Sequence, residues 1–294
     1  MIFTKNWRLL AILMIVLQSV LYAILDPFSK LAYGKVPIYS FLIVRYLLAT
    51  GIMLLIWGRQ ILQELRCTSV KLYALPCICM SAAFIVSNTA LKYTTVANVA
   101  FVRSLTAVIA TLLLVLFFHK RFGARTLLVL MLMVSGLYLL CSQHGMAEFG
   151  RGEIYSLISA TMVAAALVFG ATALQHMQAI TLSCAQSFGS IWLCLLAGVF
   201  DGSLAETQWA RLCQVDISLT LIYAAVGCTV AGYMLQNIAL QHISSNLVGI
   251  LQSLYPVLTA VVAYFVLGES MTLSGMLGAL IILGSVLLAS AERE

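Results

Sequence analysis

The chain contains few charged residues for its length. Of 294 residues, 9% are Asp, Glu, Lys or Arg and 63% are hydrophobic, and the mean hydropathy is +1.06. Soluble domains contain about one quarter charged residues. This composition excludes an ordinary soluble domain and indicates an integral membrane protein whose surroundings are the lipid bilayer, with no nucleic-acid partner.

Motifs that hold metals, cofactors or ATP are also missing. The eight cysteines include no Cys-x-x-Cys pair, and Cys77 and Cys79 point to opposite sides of a helix. There is no GxxxxGK[ST] loop to hold ATP. The histidines are scattered among loops, at His119, His144, His176 and His242. We therefore expect no metal, no cofactor and no catalytic residues. An intramembrane enzyme acting on lipid-linked substrates is a weaker alternative, because it would need such groups clustered at one membrane face.

Long apolar runs account for most of the chain. About 20 apolar residues in a helix cross a hydrocarbon core. On this basis we predict ten spans at 9–28, 38–57, 72–91, 97–118, 124–141, 153–173, 181–200, 217–236, 245–267 and 272–290. The first run has a basic flank and lacks a small-residue cleavage site, which predicts an uncleaved first span. One misjudged segment would instead give nine or eleven spans.

The distribution of basic residues predicts the orientation. With ten spans and the N-terminus inside, about nine Lys and Arg residues fall on the cytoplasmic side and about five on the other. Cytoplasmic loops are enriched in Lys and Arg. The prediction is a multi-pass protein of the cell (inner) membrane with both termini in the cytoplasm.

A segment near the middle of the chain recurs near its end. NTALKYTTVANVAFVRSLTAVIATLLLVLFF from Asn88 aligns without gaps to NIALQHISSNLVGILQSLYPVLTAVVAYFVL from Asn237, an offset of 149 residues. Five spans per half would make the second half enter the membrane from the opposite face. We therefore predict an all-α fold of ten helices in two inverted five-helix repeats, residues 1–147 and 148–294, with the site where the halves meet.

Five segments spread along the chain form a recognisable set. They are Tyr22-Ala23 with Lys30, SFLIVRYLLATGIMLL around Arg45, Gly152-Glu153 with LISATMVAAALV, AAVGCTVAGYMLQNIAL after Tyr223, and LQSLYPVLTAVVAYFVLGE ending at Glu269. In this order and spacing they resemble the drug/metabolite transporter superfamily, in particular the type with two EamA-like repeats. The first repeat departs from the last motif, with Thr106-Ala107 in place of a proline and His119-Lys120 in place of Gly-Glu. The resemblance implies ten helices, a central substrate cavity and alternating access. It does not imply a particular substrate.

Two arginines lie well inside predicted spans, where a charge is costly and usually functional. Arg103 is near the repeat axis and aligns with Gln252. Its guanidinium can bind a carboxylate or phosphate through two parallel hydrogen bonds, although a helix-bridging arginine is the alternative. For Arg45 the structural role is the prediction, since the family that the chain resembles has an arginine there whatever its substrate.

Polar residues at helical spacing extend the candidate site. They form stripes that either line a wet cavity or join helices by hydrogen bonds. The predicted substrate-binding residues are Arg103, Gln252, Asn88, Ser81, Tyr22, Gln18, Asn237 and Tyr255. A further polar stripe on the seventh span, around Gln186, is interpreted as packing.

Acidic residues are missing from the middle of every predicted span, since Asp26 and Glu269 lie near span ends. Organic-cation pumps and many proton symporters need a buried carboxylate. The sequence therefore favours a secondary carrier that exports or exchanges small polar metabolites, anionic or zwitterionic and amino acid-like. A multidrug or organic-cation efflux carrier is the alternative. The small residues from Ser274 to Gly278 are a candidate homodimer contact.

Overall fold

The computed structural model describes residues 2–94, 96–142, 150–205, 209–267 and 273–290. Within these ranges every regular element is a helix. The α-helices are α1 (Ile2–Tyr33), α2 (Ile38–Cys67), α3 (Val70–Ala90), α4 (Val96–Ser104), α5 (Thr106–Phe118), α6 (Ala124–Ser142), α7 (Arg151–Ala173), α8 (Ala179–Phe200), α9 (Val215–Tyr223), α10 (Gly232–Leu240), α11 (Ser245–Gln252), α12 (Leu254–Leu267) and α13 (Leu273–Ser290). A 3₁₀ turn covers Trp209–Cys213, and the π-helical segment Ala224–Ala231 joins α9 to α10.

Seven helices in the described ranges are long and apolar enough to cross a membrane. Three shorter apolar helices accompany them, at Val102–Phe118, Ala124–Leu139 and Leu273–Ala289. The predicted all-helical membrane protein is confirmed, whereas the count of ten spans stays a prediction. The predicted repeat boundary at 147/148, Glu269 and the C-terminal residues 291–294 lie outside the described residues.

Helix α1 is longer than predicted. It extends to Tyr33, five residues beyond the predicted end of the first span at residue 28. The helix continues through Asp26 and Lys30, two charged residues that are one turn apart on the same face. Asp26 therefore lies about two turns before the end of α1.

The predicted fourth and ninth spans are each broken into two helices. Helix α4 ends at Ser104 and α5 begins at Thr106, while α11 ends at Gln252 and α12 begins at Leu254. At each break one amide makes a tighter bond to the third preceding residue, Leu105 N to Val102 O (3.1 Å) and Ser253 N to Ile250 O (3.0 Å). The repeat alignment places Leu105 opposite Leu254, so the two breaks lie within one residue of equivalent positions. The alignment predicted that the two segments are equivalent, but it did not predict that either is broken.

At the two breaks, equivalent carbonyl groups lose their helical hydrogen bond for different chemical reasons. Pro256 has no N–H for the carbonyl of Gln252, and its ring clashes with that group in a regular helix. In the first repeat the Thr106 hydroxyl donates to the carbonyl of Arg103 (2.6 Å). A side-chain donor of this kind competes with the helical ladder. The break after α4 therefore needs no proline.

The helices pack in matching pairs. Helix α3 packs on α7, and α1 packs on the π-helical segment and α10. Helices α4 and α5 pack on α7, and α11 and α12 pack on α1. Helix α4 also contacts α12 while α5 contacts α11, so these two broken helices run antiparallel. A Cβ on Gly249 would lie 3.0 Å from the Cα of Ala107, which shows how closely α11 approaches α5.

Helix α13 packs on α6 of the same chain. A Cβ on Gly136 of α6 would lie 2.8 Å from the carbonyl oxygen of Gly278. The small-residue face that was a candidate homodimer contact is therefore used inside the chain.

Ion pairs join the two halves at one end of the bundle. Lys35, after α1, pairs with Asp216 at the start of α9. Lys92, after α3, lies 3.6 Å from Asp201, which follows α8.

At the opposite end of the bundle α5 stops at His119, whose left-handed conformation (φ 50°) is one that glycine adopts without strain. This conformation explains why the related motif has glycine at that position.

Candidate functional site

Arg103 lies at the end of α4, inside a group of three aromatic rings. Its Cζ atom is 4.9 Å from the ring centre of Tyr255, 5.4 Å from that of Phe84 and 5.8 Å from that of Tyr22. These distances are within the range in which ring faces attract a cation. We call these three rings the aromatic cage. They come from α1, α3 and α12, so the cage forms only when both halves pack together.

Three glutamine side chains form a hydrogen-bonded triad beside the cage. Gln252 Nε2 donates to Gln236 Oε1 (2.9 Å) and to Gln18 Oε1 (3.1 Å), and Gln18 Nε2 donates to Gln236 Oε1 (2.9 Å). They belong to α1, α10 and α11. Gln252 is the last residue of α11, and its repeat counterpart Arg103 lies in the last turn of α4.

A small cavity connects the cage with the triad. Its lining includes Gln18, Tyr22, Arg103, Gln252 and Tyr255, five of the eight predicted site residues. The volume is about 30 Å³, enough for about two water molecules. Ligand pockets in proteins are usually about 300–1,000 Å³. The central site is therefore closed around its polar groups in this conformation.

Two polar atoms at the central site have no hydrogen-bond partner among the described residues. They are the hydroxyl of Tyr255 and Nε2 of Gln236. Buried polar groups are usually satisfied by protein or water, so unpaired ones need an explanation. Together with the guanidinium of Arg103 they make the central site rich in hydrogen-bond donors.

No carboxylate in the described ranges lies within ion-pair distance of Arg103. Asp26 is one turn beyond Tyr22 on α1 and makes no ion pair with Arg103. The local charge at the cage is therefore positive, which favours a negatively charged ligand and disfavours a cation.

Arg45 is 2% exposed and holds α2 against the π-helical segment. Its Nε donates to Thr229 Oγ1 (2.8 Å), and its Cζ lies 5.4 Å from the ring centre of Tyr46. Two further hydrogen bonds involve the same segment. Tyr22 of α1 donates to the carbonyl of Cys228 (2.9 Å), and Thr229 donates to the carbonyl of Ala224 (3.0 Å). Short π-helical segments often occur at functional sites. Here the segment provides acceptors for side chains from α1 and α2.

The other three predicted site residues lie outside the central cavity. Ser81 donates to the carbonyl of Gln186 (2.9 Å). Asn88 accepts a bond from Tyr33 (2.6 Å), and Nδ2 of Asn237 donates to Gln186 Oε1 (3.0 Å). Each of these bonds joins one helix to another. The structure therefore gives the three residues bonds between helices, and it brings the remaining five together.

Sequence reasoning did not single out Phe84 or Gln236 as site residues. Phe84 is one turn before Asn88 on α3, but an apolar ring gives no signal in a chain that is 63% hydrophobic. Gln236 was seen only as part of a polar stripe on the eighth span. It follows the π-helical segment, where the normal helical spacing does not apply.

Comparisons with known proteins identify the family. The model of the EamA-like transporter family matches residues 9–142 and again residues 150–291. The chain belongs to the EamA-like transporter family. The resemblance seen in the sequence is thus confirmed.

One relative of this EamA-like chain is an uncharacterized transporter of Archaeoglobus fulgidus. It is 22% identical over 289 residues, which cover 96% of this chain and 98% of the relative. A crystal structure of a protein that is 14% identical superposes with a TM-score of 0.76 over 97% of each chain. This second likeness shows a shared fold alone. The family and the relative together indicate a membrane transporter.

Proposed function

We propose that this protein is a secondary transporter that exports or exchanges small polar metabolites, anionic or zwitterionic and amino acid-like, through the central cavity. The observation that carries the proposal is the charge of Arg103, held in the aromatic cage with no carboxylate partner in the described ranges. A guanidinium presents parallel donors that fit a carboxylate or phosphate.

The surroundings of Arg103 favour a ligand that accepts hydrogen bonds. The hydroxyl of Tyr255 and Nε2 of Gln236 are unpaired, and carboxylate oxygens are suitable acceptors for them. The amino group of a zwitterion would find carbonyl oxygens at the glutamine triad. An organic cation would meet the charge of Arg103 without a compensating carboxylate, so a multidrug carrier for cations is disfavoured.

We further propose ten spans in two inverted five-helix repeats, residues 1–147 and 148–294. The paired packing of the halves supports this, because the packing of α3, α4 and α5 on α7 has a counterpart in the packing of α10, α11 and α12 on α1. The antiparallel contact of α4–α5 with α11–α12 is the one that an inverted repeat requires. The two family matches, one in each half, agree with this division.

Alternating access is the mechanism that fits a closed central site. The cavity of about 30 Å³ is too small for a metabolite, so the halves must separate to admit one. The two ion pairs, of Lys35 with Asp216 and of Lys92 with Asp201, join the halves at the end that we assign to the outside. We propose the inner membrane as the location, with both termini in the cytoplasm.

Purified protein tests the proposal directly. Thermal unfolding would be measured with amino acids, organic acids, sugar phosphates, nucleotide sugars and organic cations, and each stabilising compound would then be tested for exchange in sealed proteoliposomes. We expect stabilisation and exchange by compounds carrying a carboxylate or phosphate, and neither in empty vesicles. Exchange of organic cations alone would contradict the proposal, and so would turnover of a compound without its transport.

A further inference from the structure

A second cavity lies at the end of the bundle opposite the ion pairs. It is formed by the loop after α5 and by the starts of α6 and α11 and the end of α13, and its volume is about 290 Å³. We call it the basic vestibule, and its lining includes Lys120, Arg121, Thr126, Ser244, Asn246 and Ile250. None of these residues lines the central cavity.

The basic vestibule combines two cations with a helix start. The side chains of Lys120 and Arg121 are exposed and, within the described residues, make neither an ion pair nor a hydrogen bond. Helix α11 begins here, and its cap Ser244 accepts a bond from Leu247 N (3.3 Å). The positive end of the helix dipole adds to the two charges.

Asn246 is a buried donor in the wall of the basic vestibule. It is 8% exposed, and its Oδ1 accepts a hydrogen bond from Thr111 (2.6 Å). Its Nδ2 has no partner in the part of the chain that the structure describes. An unpaired amide N–H beside two cations is suited to an oxyanion.

The basic vestibule and the central cavity are adjacent along one face of α11. Asn246 lines the basic vestibule, while Gly249 and Gln252 line the central cavity. The three residues follow one another at intervals of three along α11. Six residues of helix span about 9 Å. Between the cavities α5 meets α11 through the Ala107–Gly249 contact and the Thr111–Asn246 hydrogen bond.

We propose that the basic vestibule is an anion-binding site, which receives the carboxylate or phosphate group of the substrate before α5 and α11 separate and admit it to Arg103. The identity of this ligand as the transported molecule rests on the proposed function. Anion binding at this place does not, because Lys120, Arg121 and Asn246 are separate from the central site.

The test measures the local charge with thiol reagents. Thr126→Cys is introduced into protein without its eight native cysteines, in nanodiscs of phosphatidylcholine. The rates of modification by anionic 2-sulfonatoethyl and cationic 2-(trimethylammonium)ethyl methanethiosulfonate are compared with those of free glutathione. We expect the ratio of anionic to cationic rate to exceed that of glutathione about tenfold, because clustered cations concentrate anions locally.

Matched variants separate the site from general surface charge. Lys120→Gln with Arg121→Gln should return the ratio to that of glutathione. Arg59→Gln with Arg66→Gln removes the same charge elsewhere and should change the ratio less than twofold.

Millimolar inorganic phosphate should slow the modification of Thr126→Cys, and Asn246→Ala should abolish this protection while keeping most of the charge preference. Ala289→Cys serves as a second reporter in the same wall.

Several results would overturn the proposal. They are an unchanged ratio in the Lys120 and Arg121 variant, no protection by phosphate, and no reaction at either reporter. Protection in nanodiscs containing phosphatidylglycerol without phosphate would assign the site to a lipid headgroup instead. If the cysteine-free protein does not fold, calorimetric titration of inorganic phosphate into Arg103→Gln, with and without Asn246→Ala, gives the same decision, because the central arginine is absent from both proteins. The vestibule residues are separate from the central cavity, so a failure of the proposed function is distinguishable.

Discussion

Replacing Arg103 by glutamine tests the central site most directly. Arg103→Gln removes the charge held by the aromatic cage and reproduces the carboxamide that the second repeat has at Gln252. The side chain becomes shorter but keeps a hydrogen-bond donor. The change therefore separates the contribution of the charge from that of polar contact.

The expected effect on substrate binding is large and the effect on stability small. Leaving a substrate anion without its charged partner costs about 2–5 kcal/mol. This corresponds to an apparent substrate constant raised about 30-fold to several thousand-fold. Three ring contacts are lost, each worth about 0.5–1 kcal/mol, but removal of a partly buried charge offsets that loss. We therefore expect the free energy of unfolding to change by about 1 kcal/mol or less.

The assay is equilibrium binding of a stabilising carboxylate or phosphate compound to purified protein, with thermal unfolding measured alongside. Arg103→Lys is the matched control and should be intermediate, because an ammonium keeps the charge but not the two-pronged geometry. Normal affinity in Arg103→Gln would refute the reasoning. A variant that fails only because it no longer folds would make the arginine structural.

Four further predictions concern stability, topology and coupling. Arg45→Gln should destabilise the protein by at least about 2 kcal/mol without a specific loss of affinity, because it breaks a buried charged hydrogen bond; a loss of affinity at normal stability would assign it to the site. A cysteine at Lys120 should label from the cytoplasm and one at Asp201 from outside, and labelling of both from one side would refute the span count. Exchange in vesicles should not need a pH gradient; a strict requirement, abolished by ionophore, would implicate Asp26. Thr106→Val should lower the free energy of unfolding by about 1 kcal/mol, because the carbonyl of Arg103 loses its hydroxyl donor; unchanged unfolding would show that this bond does not maintain the break.

The repeat alignment and helical spacing predicted much of the central site. Gln18 and Tyr22 are four residues apart, and this spacing placed both on the cavity side of α1. The alignment paired Arg103 with Gln252, and both line the same cavity. The first prediction depends only on helical spacing and the second only on the internal repeat. Both properties can be read from the sequence.

Other features depend on neighbours that a sequence does not specify. Ser81 and Asn88 form a polar face on α3, but Ser81 donates to the carbonyl of Gln186 on α8 and Asn88 accepts a bond from Tyr33 on α1. Gln236 reaches the triad because the π-helical segment rotates the residues that follow it. The break at Leu105 is maintained by a threonine hydroxyl, which is a weaker sequence signal than proline.

The two halves meet at the central site with equivalent backbones and different side chains. At both breaks the carbonyl of residue 103 or 252 accepts no bond from the helical backbone, but one residue is a cation and the other an amide. Two arginines facing each other across a cavity of about 30 Å³ would repel strongly. One arginine opposite one glutamine instead leaves a single positive charge, which one carboxylate or phosphate neutralises. The substrate class that we propose follows from this difference between two otherwise matching positions.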